Sequence, residues 1–221
     1  MSATERVRRG LRGLPRRRVA AREALRLLAE LQDRGWQRSV AEQLPVDGEG
    51  EPVPWMNYGA VSVLAGLVTP GTRVFEYGCG GSTAWLSRRT AHVHAVEHDP
   101  AWAERCRALV GPSTVDLRCI PCGGDWLEAP PDDAYVMAPL AGDGAVGPFD
   151  LVIVDGMARL PCLEVARRCV AAGGIVVLDD TERPAYAAAR ERLVADGFRE
   201  LRVFGPKPTM GDFSATSFFV P

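Results

Sequence analysis

The sequence predicts an α/β fold: a doubly wound, mostly parallel sheet of seven strands that ends in an antiparallel hairpin and carries an N-terminal helical extension. Three observations predict it. Short strand-like runs alternate with helical stretches from residue 73 to residue 196, the pattern of a parallel sheet with helices on both faces. The runs are almost continuously apolar, as strands covered on both sides must be. The last two strand-like segments follow each other with no helix between them, which turns the final pair antiparallel.

Taken in order, Ala20, Ala24, Leu27, Leu28 and Leu31 fall on one helical stripe between Arg and Glu, predicting a helix over 18–34 that Gly35 can end. Residues 1–16 have no such stripe. The segment 44–55, "LPVDGEGEPVPW", is dense in Pro, Gly and acid and reads as an exposed connector. The chain therefore divides into an arm and connector (1–53) and one main domain (54–221). Strands are expected at 73–77, 92–97, 115–120, 149–155, 174–180, 198–204 and 214–220. Helices are expected at 82–89, 100–110, 159–171 and 185–196, with an irregular Gly/Pro/Asp-rich stretch over 121–147.

With 221 residues, 47% apolar and 24% charged, the chain suits one sizeable core and excludes a wholly disordered protein. Apolar runs such as "GGIVVL" are far too short to span a bilayer. No secretory signal opens the sequence, and six cysteines without one imply reduced thiols and a cytoplasmic setting. Cys119 and Cys122 form one C-x-x-C, but no second pair completes a zinc site. The net charge of −2 conceals an asymmetry: residues 1–38 hold eleven Arg against four acids, a net +7, leaving −9 elsewhere. Such an arm suits nucleic acid or a solvated helical face. The interleaving of Arg with Ala and Leu and the scarcity of aromatics favour the helical face, and the apolar stripe must bury against the chain's own core or a second copy in a homodimer. Of 26 basic residues only Lys207 is not Arg.

The chemistry begins at "RVFEYGCGGSTAWL". In a doubly wound sheet ligands bind at the carboxyl ends of the strands, and this turn follows the first core strand. Gly78, Gly80 and Gly81 leave backbone bare for a ligand. Thr83 stands where a dinucleotide fingerprint needs glycine, and no Gly-Lys-Ser/Thr of a phosphate loop is present. Glu76 just before the turn would oppose a pyrophosphate and tolerate a cation. Glu97 ends the second strand, where a carboxylate can accept ribose hydroxyls. The pattern points to a nucleoside that lacks phosphates and bears positive charge.

In "VFEYGCGGSTAWL", "VHAVEHDPAW", "FDLVIVDG" and "GGIVVLDD" the sequence resembles the class I S-adenosylmethionine-dependent methyltransferases, with a Rossmann-like core, over residues 54–220. The resemblance implies that Glu76, Gly78 and Gly80 form the first cofactor motif, that Glu97 holds the ribose, and that Gly81, Ser82 and Thr83 lie near the methionine portion. It makes Trp55 and Tyr58 candidates for a cofactor-covering segment, and Asp125, Trp126 and Tyr135 candidates for the adenine.

Asp155 ends the fourth strand, and Asp179 and Asp180 end the fifth. Three carboxylates at one sheet edge repel unless they are hydrogen-bonded or a cation bridges them, and a hard ion such as Mg²⁺ takes oxygen ligands. The placement resembles the metal-dependent O-methyltransferases of the catechol and natural-product sugar types, which implies Mg²⁺ on Asp155, Asp179 and Asp180. No lysine follows Asp155 where the catechol type carries its base; Arg159 would instead stabilise an anion. Asp155 and His98 are candidates for proton transfer. Arg183 and Tyr186 are candidate substrate contacts, and Tyr186 equally suits a core position. The cap over the acceptor should come from the N-terminal helix, residues 121–147 and the loop 205–212. The expectation is a methyltransferase acting on a small-molecule hydroxyl in bacterial secondary or cell-surface metabolism. The alternatives are an N-methyl or metal-independent reaction on the same fold, and a nucleic-acid-binding or assembly protein working through the Arg-rich arm.

Overall fold

The computed structural model describes residues 17–111, 115–141, 147–209 and 211–221. The strands are β1 (Arg73–Tyr77), β2 (His92–Glu97), β3 (Val115–Cys119), β4 (Phe149–Val154), β5 (Val170–Leu178), β6 (Arg199–Pro206) and β7 (Phe213–Val220). They form one sheet in the order β3-β2-β1-β4-β5-β7-β6. The first five are parallel, and β7 runs antiparallel to both β5 and β6. The helices are α1 (Arg17–Asp33), α2 (Trp36–Glu42), α3 (Tyr58–Leu67), α4 (Gly81–Ser87), α5 (Pro100–Val110), α6 (Arg159–Cys169) and α7 (Ala187–Ala195). Among the described residues no helix is long and apolar enough to cross a membrane.

Strand periodicity distributes the core. On β1, Phe75 and Tyr77 enter the cluster with α6 and α7, while Val74 enters the opposite cluster with Ala60 and Leu64 of α3 and Trp85 and Leu86 of α4. Glu76 shares a face with Val74 and is therefore driven under α4 with no exposure at all. On β4 a register irregularity between Phe149 and Leu151 lets Phe149 share the face of Val152 and Val154. Because β1 pairs with β2 on one side and β4 on the other, chain direction across the sheet reverses at β1, opening a crevice at its carboxyl end.

Two helices were not among the sequence expectations. The α3 sequence YGAVSVLAGL is apolar on most sides and holds two glycines, each costing about 1 kcal/mol of helix propensity. Complete burial of Leu64, stabilising by about 1.5–3 kcal/mol, outweighs that cost. The α2 segment has only seven residues, too few to show a period. The segment 44–55 also departs from expectation: Pro45, Val46, Val53 and Pro54 are buried, and Val53 joins the α3–α4 cluster. Conversely, the α1 stripe is open to solvent, with Leu27 68% and Leu28 50% exposed, so it does not bury against the chain's own core among the described residues.

Candidate active site

A cleft of about 560 Å³ lies at the carboxyl ends of β1, β2, β4 and β5, a size that suits a cofactor or metabolite. Its lining joins the glycine turn (Gly78 to Ser82) and Glu97 and His98 at one end to Asp155, Arg159, Asp180 and Lys207 at the other. Trp55, Trp102, Trp126 and Met157 supply aromatic and apolar wall.

The turn is built from inside. Thr83 Oγ1 accepts the Gly80 N–H at 2.9 Å and donates to Glu76 Oε2 at 2.6 Å. Glu76 Oε1 has no hydrogen-bond partner, and burial pushes the Glu76 carboxyl pKa up to about 8. Glu76 and Thr83 thus brace the turn from behind and do not line the cleft, where direct cofactor contacts were expected of them. Gly78 has φ +84°, and a Cβ there would stand 2.8 Å from Gly156 Cα; a Cβ on Gly81 would stand 2.4 Å from the Val53 carbonyl oxygen. Both glycines are required by backbone packing. Gly80, where a Cβ would reach only as near as 3.7 Å from the Trp102 ring, is the one left bare toward the cleft.

Glu97 is almost completely buried at the cleft floor. Its Oε1 accepts the N–H groups of His98 (2.8 Å) and Asp99 (2.9 Å), and Oε2 accepts that of Cys79 (3.1 Å). A carboxylate has about four lone-pair positions, so one remains on Oε2 for a ligand hydroxyl. His98 Nδ1 lies 2.7 Å from Glu97 Oε1 without making a hydrogen bond, at the β2 end of the cleft. Trp102, in the first turn of α5, donates its ring N–H to the Cys79 carbonyl at 2.6 Å and closes the wall beside Gly80. Its position five residues after Glu97 was the signal available in the sequence.

Trp55 lines the rim. Tyr58 does not: it opens α3, buried, with Arg34 at 5.9 Å over its ring. Asp125 is corrected too. It lies outside the lining, and its Oδ1 accepts the N–H groups of Leu127 and Glu128 (both 2.8 Å) in an exposed turn, which holds its carboxyl below the usual range. Tyr135 is core, its hydroxyl accepting the Met157 N–H at 3.3 Å. Trp126 alone of the three adenine candidates reaches the cleft. Arg183 stacks on Trp126 at 5.0 Å, and Tyr186 meets the same ring edge-on at 5.9 Å while itself fully buried. The core alternative for Tyr186 is the one observed.

At the β4 and β5 ends, one oxygen from each of Asp155, Asp179 and Asp180 falls within 4.8 Å of the others. Cationic side chains already fill that space. Arg159 contacts Asp155 Oδ1 (3.0 Å) and Asp180 Oδ2 (3.3 Å), Arg183 contacts Asp180 Oδ2 (2.8 Å), and Lys207 Nζ contacts Asp180 Oδ1 (2.5 Å) and Asp179 Oδ2 (3.2 Å). Asp179 Oδ1 is taken by Thr216 Oγ1 at 2.5 Å. Burial, with the neighbouring carboxylates, raises the Asp155 and Asp179 carboxyls. Burial also acts to raise Asp180, but Lys207, Arg159 and Arg183 more than offset it and hold it below the ordinary range. Three carboxylates facing three cations leave no surplus negative charge, and Mg²⁺ does not fit these residues as they stand.

No protein-family model matches the chain, and no curated protein matches it in sequence. Solved structures do match. The O-methyltransferase of Bacillus cereus, in complex with S-adenosylhomocysteine, superposes with a TM-score of 0.59 at 15% identity over 86% of this chain and 90% of its own. The O-methyltransferase TomG of Streptomyces achromogenes, involved in tomaymycin synthesis and solved with S-adenosylmethionine, gives 0.57 at 16% over 86% and 89%. The N-methyltransferase NodS of Bradyrhizobium japonicum with S-adenosylhomocysteine gives 0.51 at 15% over 86% and 97%. At these identities the likeness is one of fold, and the chain has the Rossmann-like methyltransferase fold.

Proposed function

We propose that the chain is an S-adenosylmethionine-dependent methyltransferase that methylates a hydroxyl oxygen of a small molecule. The observation that carries this reading is Glu97: a carboxylate at the end of β2, fixed by three backbone N–H groups, with one lone pair free beside the bare turn at Gly80. That is the chemistry a ribose hydroxyl needs, on the fold shared with proteins solved with S-adenosylmethionine and S-adenosylhomocysteine. When bound, S-adenosylmethionine supplies a methyl group activated by a sulfonium. In this reading the residues of the chain align and desolvate. Trp55, Trp102, Trp126 and Met157 exclude water from the cleft, which strengthens every charge interaction within it. Asp155, held by Arg159 at 3.0 Å, is the cleft carboxyl that takes the acceptor's proton once it is ionised, a step that its burial moves to higher pH. Holding the acceptor oxygen near the methyl carbon and in line with it supplies much of the acceleration.

Calorimetric titration with S-adenosylhomocysteine, beside a Glu97→Ala variant, tests the reading. Wild type should bind, and the variant should lose at least about tenfold in affinity, the equivalent of about 1.4 kcal/mol. Circular dichroism of the variant checks that freeing three N–H groups has not unfolded the turn. An absence of binding by the wild type would overturn the proposal.

A further inference from the structure

Lys207 is the single lysine beside 25 arginines in this chain, and it stands in the space where the carboxylates of Asp155, Asp179 and Asp180 would hold a metal. Its side chain is 13% exposed, and its Nζ is 2.5 Å from Asp180 Oδ1 and 3.2 Å from Asp179 Oδ2. The loop that carries it is closed by the Lys207 N–H donating to the Asp212 carbonyl at 3.2 Å. Asp179 is fixed from its other side by Thr216, which in turn accepts from Asn57 at 3.2 Å. The ammonium is thus held by groups that are themselves held.

We propose that Lys207 is the resident cation of this cluster, taking the place of a divalent ion and presenting an N–H to the acceptor oxygen. The first part rests on the geometry alone; the second rests on the methyltransferase reading. An ammonium has three donors. Two are spent on Asp179 and Asp180, and Lys207 lines the cleft, so the third is free for an oxygen-bearing ligand, hydroxyl or carboxylate. A lysine suits this place where an arginine would not, because the ammonium is a compact point charge and the guanidinium a planar fork. A Mg²⁺ ion bound at about 2.1 Å from these oxygens would force the ammonium out against direct charge repulsion.

The test is Mn²⁺ binding followed by electron paramagnetic resonance on the full chain. Wild type should leave Mn²⁺ free at about 1 mM, whereas Lys207→Met, which frees Asp179 Oδ2 and Asp180 Oδ1 of the ammonium while Arg159 and Arg183 stay in place, should take up one equivalent at least about tenfold more tightly. Adding Asp179→Asn to that variant should abolish the uptake. Stoichiometric uptake by the wild type would overturn the proposal, as would no uptake by a Lys207→Met protein that melts cooperatively. If Lys207→Met does not fold, the wild type still decides, because acylation of the only lysine reports Lys207 directly by mass spectrometry. Labelling should be slow and indifferent to Mg²⁺; acceleration by Mg²⁺ would mean that the metal displaces the lysine and would sink the idea. Neither readout involves S-adenosylhomocysteine, so failure here and failure of the cofactor reading are separable.

Discussion

Glu76 shows how a residue's place in a turn can be legible while the direction of its side chain is not. Its place before the glycine turn was legible. Its direction was not, because the alternation that sends Val74 into the α3–α4 cluster sends Glu76 under Thr83. Burial sets its pKa at about 8 against 4.5 for the free side chain, and the sign of the resulting linkage follows. Between those two pH values the folded protein keeps a proton that the unfolded chain has released. Stability therefore falls as pH rises from about 4.5 to about 8, by at most about 1.4 kcal/mol per pH unit. Glu76→Gln keeps an oxygen for Thr83 and removes the titration. Urea denaturation should find the variant close to wild type at pH 5 and more stable by a few kcal/mol at pH 8.5. A difference that does not grow with pH would show that Glu76 is ionised in the folded protein.

At the scale of elements, the sheet was legible and the joints were not. Strands and helices from β1 to β5 follow from periodicity, with ends displaced by at most four residues; Asp155, Asp179 and Asp180 were found because strand ends are. The contacts of α3 with the hairpin could not be read, since they depend on Asn57, a residue inside an otherwise uninformative "PWMNY". Asn57 is fully buried. Its Oδ1 accepts the Ala60 N–H at 2.9 Å, capping α3, and its Nδ2 donates to the Val203 carbonyl (3.1 Å) on β6 and to Thr216 Oγ1 (3.2 Å) on β7. Lys207 was visible as the lone lysine, yet its partners lie 27 and 28 residues away across the sheet, a distance that no local pattern spans. Asn57→Ala removes a cap worth about 1 kcal/mol and strands buried partners at about 1–3 kcal/mol. Unfolding free energy should fall by about 2–4 kcal/mol in a denaturant titration. A loss below about 0.5 kcal/mol would mean that α3 is held by its apolar face alone.

Taken as a whole, the molecule separates a charged extension from the body that carries the cleft. Residues 21–30 of α1 are all exposed, and among the described residues none of α1 lines the cleft, so the expected contribution of this helix to the acceptor cap is not observed there. Attachment to the body begins just after it. A Cβ on Gly35 would stand 2.3 Å from the Val46 carbonyl oxygen, and the Ser39 hydroxyl and the Val46 backbone exchange two hydrogen bonds at 3.0 Å. From there the chain runs to Val53, whose carbonyl packs against Gly81 in the cofactor turn. Packing against the body is thus already present between residues 35 and 53, within the segment whose composition reads as a connector. Two deletions measure that packing. Removing residues 1–33 takes away, among the described residues, a helix exposed throughout 21–30, and should leave S-adenosylhomocysteine affinity within about threefold, less than 1 kcal/mol, and the melting midpoint within about 3 °C. Removing residues 1–53 takes away Val46, Val53 and the wall behind Gly81, and should lower the midpoint by about 10 °C or more as several kcal/mol of burial is lost. Equal effects from the two deletions would place α1 within the cooperative unit.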